Sequence, residues 1–563
     1  MHLVADAHSD VSPIPDASNR APMIDTEAGL SERTPIVRSR GRLVIWVTIL
    51  TTFVSAVGYF REAVFASRLG ASASMDAYLA ALFVPNTLYF VLIAGTVSPI
   101  FMTVFSQHQS GSSEEALGVF RVTSTCSAVI LIALVLLGTL TARFWLPLVF
   151  SGFTSGQLEL SLQLLYVIFP SIVFLGMSGI VSALLNSLGH FTAPAVSPAM
   201  YAVATVPVLL LAPRDKLVQW VAIATAVGLA AQLFVQLPTA ASLGVRWRPD
   251  FNFRHPAIRR LVRLALPLLA YLVVANASLL VERNVASKLS TGAISIVNYA
   301  TRLFAIPGNL LIMPLAVVFY PSFAREAARE GRGDLARELR DALRITLFLA
   351  LPVSCWVVMH ALPLTRVVFE RGQFDFTNST QTAGMLAFYS LGLLPNAVAV
   401  ILLRAFYAIQ DTVTPLLAEA ANLACYTWAA PRLAERFGMA GLGAARAGSF
   451  VLVALILLFA LRRKLAEAWS PSTDGVFLLK IAFGSFVTGM VTWVASVTLN
   501  SALQLSGFPA RASVVAFLAA LGGAAYIGTC YLLAVREVNS VANVCFGWVR
   551  PMWESGRFRG TSA

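Results

Sequence analysis

Long apolar stretches follow one another from Leu43 almost to the C-terminus, separated by short polar segments. A helix that crosses a bilayer needs about 20 mostly apolar residues, and each stretch has roughly that length or more. Several exceed 25 residues, so those helices must tilt, bend or project from the membrane. The pattern predicts an all-α membrane protein with about fourteen transmembrane helices, at residues 43–60, 76–106, 118–148, 158–187, 192–212, 217–241, 260–282, 292–323, 342–368, 380–409, 412–430, 440–461, 478–500 and 511–535.

The composition agrees with a membrane location. Of the 563 residues, 57% are hydrophobic and 12% are charged, whereas soluble proteins carry about 25% charged residues. The net charge of +13 would suit nucleic-acid binding in a soluble protein. Lys and Arg collect in the cytoplasmic loops of membrane proteins, so we expect no nucleic-acid partner. The five cysteines are scattered without a CxxC motif, which indicates neither a metal site nor a disulfide framework.

The basic residues favour an inner-membrane protein with both termini in the cytoplasm. Arginines precede the first span, and the connections at 242–259, at 324–341 and after residue 461 are rich in Arg and Lys, while the opposite loops are poorer in them. Residues 1–41 are polar and lack the apolar core of a signal peptide. We expect residues 1–41 and 536–563 to form cytoplasmic tails, the first of them disordered.

Short motifs recur at one spacing, which indicates an internal duplication. Pro85 and Pro307 differ by 222 residues, as do Pro99 and Pro321, and Pro194 and Pro415 differ by 221. Small residues and prolines recur by chance in membrane proteins, but matched offsets over more than a hundred residues favour duplication. Both halves begin and end on one side, so the repeat is parallel. The predicted organisation is an N-lobe (42–241, spans 1–6), a cytoplasmic linker (242–259), a C-lobe (260–461, spans 7–12) and a terminal helix pair (462–535, spans 13–14).

The duplicated prolines interrupt the second helix of each half. Proline removes a backbone hydrogen bond and kinks a helix. The freed carbonyl needs a new partner within a bilayer, so such breaks lie against protein or a water-filled cavity. A static kink is the alternative for any single proline, but for the duplicated pair we expect hinges or a cavity lining.

Three segments carry a family resemblance: Gly58-Tyr59-Phe60-Arg61-Glu62 before Asp76, Asn298-Tyr299-Ala300-Thr301-Arg302, and Phe406-Tyr407-Ala408-Ile409-Gln410-Asp411-Thr412. They resemble the MurJ (MviN) lipid II flippase family of the multidrug/oligosaccharidyl-lipid/polysaccharide exporter superfamily. The resemblance implies two six-helix lobes around a cationic cavity that holds the diphosphate-sugar head of lipid II. It also implies that the terminal helix pair lines a groove for the polyprenyl tail.

The resemblance also implies which residues bind substrate. Arg61, Asp76 and Arg302 match an arginine, an acid and an arginine of the family. The chain departs from the family at Ser55, Tyr89 and Phe90, where arginines are expected, so its cavity has fewer cations for a phosphate. This departure leaves another lipid-linked oligosaccharide open as substrate. Further candidates for the cavity are Glu62, Asn86, Tyr89, Asn298 and Glu419.

Ionisable side chains inside apolar spans are costly and usually pair or face an aqueous path. Arginine suits a diphosphate because its planar fork donates parallel hydrogen bonds. Arg302 lies ten residues into its span, so we expect it inside the bundle, whereas Arg61 and Glu62 either bind substrate or mark the membrane edge. For Glu282 and Arg283 we expect the membrane edge.

Two acids have several interpretations. Asp76 can cap its helix, neutralise an arginine or bind a coupling cation. Glu419 lies mid-span with no basic neighbour in the sequence, so it is either protonated by desolvation or binds a coupling ion.

The leading hypothesis is a monomeric flippase for a lipid-linked sugar diphosphate, with no catalytic residues and no cofactor, driven by a monovalent cation or the membrane potential. A cation-coupled drug exporter would need a compact acidic site, and an O-antigen or exopolysaccharide flippase fits the missing arginines. A membrane glycosyltransferase would carry large loops with grouped acids or histidines, whereas the six histidines here are dispersed. A scaffold that does not transport stays open.

Overall fold

The computed structural model describes residues 34–109, 113–245, 248–252, 254–329, 332–465, 474–503 and 507–538, and the regular elements in these ranges are all helical. Most of the two predicted tails, residues 1–33 and 539–563, lies outside the described residues. The N-terminal half contains α1 (Thr34–Leu69), α2 (Ala73–Tyr89), α3 (Ser98–Gln109), α4 (Ser113–Val149), α5 (Ser155–Ile168), α6 (Ser171–Ser187), α7 (Thr192–Val196), α8 (Ala199–Leu211), α9 (Leu217–Phe234) and α10 (Leu237–Ser242).

The second half repeats this arrangement and is followed by two further helices. Its elements are α11 (Pro256–Ser287), α12 (Ala293–Pro307), α13 (Met313–Ala327), α14 (Arg332–Phe369), α15 (Phe376–Leu391), α16 (Leu393–Ala408) and α17 (Val413–Lys464), and the terminal pair is α18 (Asp474–Leu503) and α19 (Phe508–Leu532).

The helices of the described residues account for the predicted number of membrane spans. Eleven are long and apolar enough to cross a membrane, and two bent pairs raise the number to thirteen. The 52-residue α17 would extend about 78 Å as one straight helix, far more than a bilayer needs. It breaks at Gly438, where φ is +59°, and Lys464 Nζ lies 2.6 Å from Asp411 Oδ2. Its two ends therefore meet, so α17 is a hairpin of two spans and the total is fourteen.

The first helix is longer than the sequence pattern predicts. It begins at Thr34, inside the predicted tail, and continues to Leu69, nine residues beyond the predicted end at residue 60. Arg61 and Glu62 consequently lie within the helix and are buried. The prediction that they could mark the membrane edge is therefore wrong.

The duplication is visible as matched irregularities in the two lobes. A π-helical turn separates α2 from α3 at Phe90–Val97, and another separates α12 from α13 at Gly308–Ile312. The pair α5–α6 bends by 46° and the pair α15–α16 by 44°. Irregular turns of this kind occur often at functional sites. The fold is thus two six-helix lobes related by a parallel repeat, with a terminal helix pair.

Packing separates a shared core from a surface suited to lipid. Tyr299 of the C-lobe is fully buried, with its ring centroid 4.8 Å from that of Phe369. The terminal pair is fixed to α14 by Tyr526, whose hydroxyl donates to the Phe348 carbonyl at 2.8 Å. Large apolar side chains such as Phe144 remain exposed on the outer helix faces, as expected where hydrocarbon replaces water.

Asp411 closes the α17 hairpin and makes its stability depend on pH. Its carboxylate accepts hydrogen bonds from Lys464 Nζ at 2.6 Å and from the Thr414 hydroxyl at 2.6 Å. Burial alone would raise the pKa of Asp411, but these hydrogen bonds outweigh it and lower the pKa from 3.8 to about 2. Because the folded pKa lies below the unfolded one, the stabilisation is complete above about pH 4 and is lost as the pH falls towards 2.

We expect Asp411→Asn to lower the free energy of unfolding by about 1 kcal/mol at pH 7, a modest value because Lys464 is partly exposed. Thermal unfolding of the purified protein in detergent at several pH values between 7 and 2 measures this difference. The difference between variant and wild type should shrink below pH 4. A difference that stays constant down to pH 2 would contradict the role given to the Asp411 carboxylate.

Candidate functional site

At one end of the bundle the two lobes meet through an acidic cap. Asp76 of α2 is almost fully buried and accepts hydrogen bonds from the backbone N–H groups of Gly292 at 2.6 Å and Ser295 at 2.8 Å. The Ser295 hydroxyl donates to the same carboxylate at 2.6 Å. Asp76 therefore caps α12 of the opposite lobe, where an acid is favoured by the orphan amides and the helix dipole. Its own helix is capped by Ser72.

We call this junction the closed end. It comprises Asp76 and the connections α1–α2, α4–α5, α11–α12 and α14–α15, and further hydrogen bonds between the lobes extend it. The Gln373 N–H donates to the Ser67 carbonyl at 2.8 Å, and the Gly152 N–H donates to Ser287 Oγ at 3.1 Å. Each of four glycines approaches the other lobe so closely that an added Cβ would lie 2.2–2.5 Å from one of its backbone oxygens. These are Gly70, Gly152, Gly292 and Gly372.

Beside the closed end lies an inter-lobe cavity of about 370 Å³. Its wall is formed by α1, α2 and α8 of the N-lobe and by α11 and α12 of the C-lobe. Charged and amide side chains from both lobes face it, together with apolar and aromatic residues. The charged and amide residues of the wall are Glu62, Asn86, Asn276, Arg283, Asn298 and Arg302.

Glu62 joins the lobes at the centre of this wall. It is only 5% exposed and lies 2.7 Å from Arg61 and 3.6 Å from Arg302, while Asn298 Nδ2 donates to it at 3.3 Å. The side chain of Arg302 is 50% exposed and faces the cavity, consistent with the predicted position inside the bundle. The contact between Glu62 and Arg302 is long, so an incoming anion can compete for Arg302.

Arg61 lies behind the cavity wall. Its guanidinium is buried and stacks 3.8 Å from the centre of the Tyr201 ring, an arrangement that favours the cation. The Tyr201 hydroxyl lies 2.8 Å from that of Tyr78, which also contacts Thr225. Arg61 is therefore held by its own lobe, with its guanidinium directed at Glu62.

Arg283 is a cavity residue that the sequence pattern misplaced. It lines the cavity, donates to the Ile294 carbonyl at 3.0 Å and lies 5.5 Å from the centre of the Phe83 ring. The prediction that Glu282 and Arg283 mark the membrane edge is wrong, because Glu282 is 1% exposed within the protein. Asn276, Leu279 and Arg283 share one face of α11, and this spacing was the signal that could have revealed Arg283.

The neighbouring face of α11 lines a second cavity, of about 270 Å³, inside the C-lobe. Arg446 lies 3.1 Å from Glu282 and donates to Ser278 Oγ at 3.0 Å, while the Tyr426 hydroxyl donates to Glu282 at 3.1 Å. Glu419 faces this cavity and accepts from Asn422. Glu419 has no basic neighbour in the sequence, but the fold places Arg446 in the lining of the same cavity.

The other candidates lie elsewhere. Tyr89 packs inside the N-lobe, with its hydroxyl 3.3 Å from the position of a Cβ on Gly179, and neither Tyr89 nor Asp76 belongs to the cavity wall. The resemblance leads one to expect arginines at Phe90 and Ser55. Phe90 faces the cavity, whereas Ser55 lies on the exposed side of α1.

Among the described residues, no group of three or more His, Cys, Asp or Glu side chains is arranged to hold a metal ion.

Two parallel lobes that close at one end over a polar cavity define a membrane transporter of the alternating-access class. The family model for the lipid II flippase MurJ matches residues 65–511. The match covers most of the chain, and the chain belongs to the MurJ family. It is a multi-pass protein of the bacterial inner membrane.

Known relatives agree with this assignment. The lipid II flippase MurJ of Burkholderia cenocepacia is 29% identical over 463 residues, which are 81% of this chain and 90% of the relative. A solved structure of lipid II flippase MurJ in an inward closed conformation matches with a TM-score of 0.73 at 23% identity, covering 87% of this chain and 98% of that one. An inward-facing MATE-family multidrug transporter of the MOP superfamily matches with a TM-score of 0.62 at 12% identity, covering 75% and 98%. The structural matches establish the shared fold.

Proposed function

We propose that this protein flips lipid II from the cytoplasmic to the periplasmic leaflet by alternating access and so serves peptidoglycan biosynthesis. Membership in the MurJ family supports the substrate. The observation that carries the proposal is the pair of guanidiniums, Arg283 and Arg302, that face one cavity between the lobes. Flipping neither makes nor breaks a covalent bond, so the mechanism requires binding and movement and no catalytic residue.

The distribution of basic residues predicts how the protein is oriented in the membrane and therefore the direction of transport. With both termini in the cytoplasm, the four connections of the closed end lie on the periplasmic side. The cavity would then receive substrate from the cytoplasmic side. A volume of about 370 Å³ suits a diphosphate and part of a sugar. Binding of the whole head group therefore requires the lobes to separate further at their cytoplasmic ends.

The side chains of the wall have distinct roles in this proposal. Arg302 and Arg283 bind the diphosphate, because guanidinium forks match phosphate oxygens, and Asn86 and Asn298 bind polar groups of the head. Phosphate bound to Arg302 would replace its long contact with Glu62. That contact links α1 to α12 across the lobes, so substrate binding weakens a bond that helps to hold the closed end.

For the energy source we propose the membrane potential. Each elementary charge moved across 100 mV is worth about 2.3 kcal/mol, and an interior-negative potential drives an anionic head group outwards. One chain supplies both lobes and the whole cavity, so we propose that it acts as a monomer.

A second candidate is the flipping of another polyprenyl-linked oligosaccharide. The position of Phe90 in the cavity wall favours it, since an aromatic ring replaces a cation where the family resemblance leads one to expect an arginine. Complementation of a strain depleted of its own lipid II flippase separates the two. Growth supports the peptidoglycan role, and failure of a well-expressed protein favours the other oligosaccharide.

Arg302→Ala is expected to reduce flipping of undecaprenyl-diphosphate-linked substrate in reconstituted vesicles roughly 10- to 100-fold, because a hydrogen bond to a charged group is worth about 1.5–3 kcal/mol. Arg302→Lys keeps the charge without the fork and should give an intermediate rate. Arg325→Ala removes an exposed arginine of α13 and serves as the control. Undiminished transport by Arg302→Ala would remove Arg302 from the site.

A further inference from the structure

A third cavity, of about 640 Å³, lies where α14, α18 and the segment after α19 meet. It shares no lining residue with the inter-lobe cavity. We call it the α14 N-end pocket. Four basic and two acidic side chains line it, which leaves an excess of positive charge. They are Arg340, Arg344, Lys480 and Arg536, with Asp341 and Glu537.

The basic side chains of this pocket are partly pre-arranged for an anion. Arg344 is oriented by an ion pair with Glu537 and by the Phe477 ring, whose centre lies 4.2 Å from its guanidinium carbon. A phosphate group in the pocket would accept charge-assisted hydrogen bonds from the guanidiniums that line it.

The depth of the pocket matches the level of lipid head groups. Arg366 follows Arg344 by 22 residues along α14, which is at most about 33 Å because the helix has a break at His360, and a hydrocarbon core is about 30 Å thick. At that opposite end Arg366 and Arg511 share the carboxylate of Glu370, at 2.8 and 2.9 Å. The two basic clusters on α14 thus mark the two faces of one membrane span.

The surface between these levels is suited to acyl chains. On α18, Leu479 and Phe483 expose most of their side chains, and on α19 Leu532 is 85% exposed. These residues belong to the same helices that form or adjoin the pocket. A ligand with a phosphate head and apolar chains fits this combination better than a free anion.

We propose that the α14 N-end pocket binds the phosphate of an anionic glycerophospholipid, whose acyl chains lie along α18 and α19. Charge complementarity identifies the head group, and the adjoining apolar surface identifies the lipid. The site is separate from the transport cavity, and its test does not depend on which substrate is flipped.

Native mass spectrometry of the full-length protein with added phosphatidylglycerol tests the site. Each basic residue near a lipid surface contributes about 1 kcal/mol, so Arg340→Gln/Lys480→Gln should weaken binding roughly tenfold or more. Phosphatidylcholine should bind less tightly than phosphatidylglycerol to the wild type. The matched control is Arg259→Gln/Arg263→Gln, which removes two exposed arginines near the start of α11 that do not line the pocket and should leave the affinity of the pocket within about twofold.

A variant that is expected to bind phosphatidylglycerol more tightly shows that weaker binding by the double variant is not caused by misfolding. Asp341→Asn removes a negative charge from the pocket wall and should strengthen phosphatidylglycerol binding, a result that loss of structure cannot produce. Equal weakening by both double variants would overturn the proposal. So would inorganic phosphate that competes as strongly as the lipid, or undecaprenyl phosphate that binds more tightly than phosphatidylglycerol.

Discussion

Gly152→Ala is expected to reduce transport about fivefold or more while leaving the protein folded. A Cβ at this position would lie 2.2 Å from the Ser287 carbonyl oxygen and 2.5 Å from Lys288 Cα. Both are backbone atoms of the other lobe, so no side chain can move aside. Overlap of this kind costs about 1–3 kcal/mol, which is roughly a 5- to 150-fold decrease in the equilibrium constant for forming the closed end. Flipping in reconstituted vesicles measures the effect.

Gly156→Ala provides the matched control, because Gly156 lies four residues further along and no atom lies within 4 Å of its Cβ position. A second pair of glycines distinguishes the effect of backbone strain from the effect of contact between the lobes. Gly292 and Gly189 both have positive φ, +89° and +81°. A Cβ on Gly292 would lie 2.3 Å from the Ala71 carbonyl oxygen of the other lobe, whereas a Cβ on Gly189 would contact nothing within 4 Å. Transport by Gly152→Ala at the wild-type rate would exclude this backbone contact from the transport cycle.

Much of the fold could be predicted from the sequence because the bilayer imposes a length and a polarity on each span. The offset of about 222 residues appears in the structure as the matched π-helical turns and the matched bends of α5–α6 and α15–α16. Helix ends were harder to predict, since hydropathy does not show where a helix continues inside the protein. The prediction for α1 stopped at residue 60, although the helix continues to Leu69.

The site was predictable where a charge lay deep within an apolar span or where a residue belonged to a segment that resembles the family. Arg302 met the first condition and Glu62 and Asn298 met the second, and the structure places all three in the cavity wall. The partners of Asp76 met neither condition, because Gly292 and Ser295 are more than 200 residues away and one of them binds through its backbone alone. Arg446 also lay within an apolar span, but only the folded arrangement shows that it faces Glu282.

The Glu282–Arg446 pair leads to the largest expected loss of stability. Glu282 is 1% and Arg446 3% exposed, and removal of one partner leaves a buried charge uncompensated. Such a change typically costs about 3–5 kcal/mol. We therefore expect Glu282→Ala to lower the unfolding temperature in detergent far more than Glu370→Ala, which disrupts the partly exposed pairs with Arg366 and Arg511 and should cost about 1 kcal/mol.

The double variant Glu282→Leu/Arg446→Met distinguishes a role of this buried pair in stability from a role in transport. Replacing both charges removes the uncompensated one, so most of the stability lost in Glu282→Ala should return, because apolar replacement of a whole buried pair is often neutral. Recovery of stability without recovery of flipping would show that the pair serves transport. A Glu282→Ala protein as stable as the wild type would mean that Arg446 is solvated in the C-lobe cavity, and the buried charge pair would then not be what holds α11 against α17.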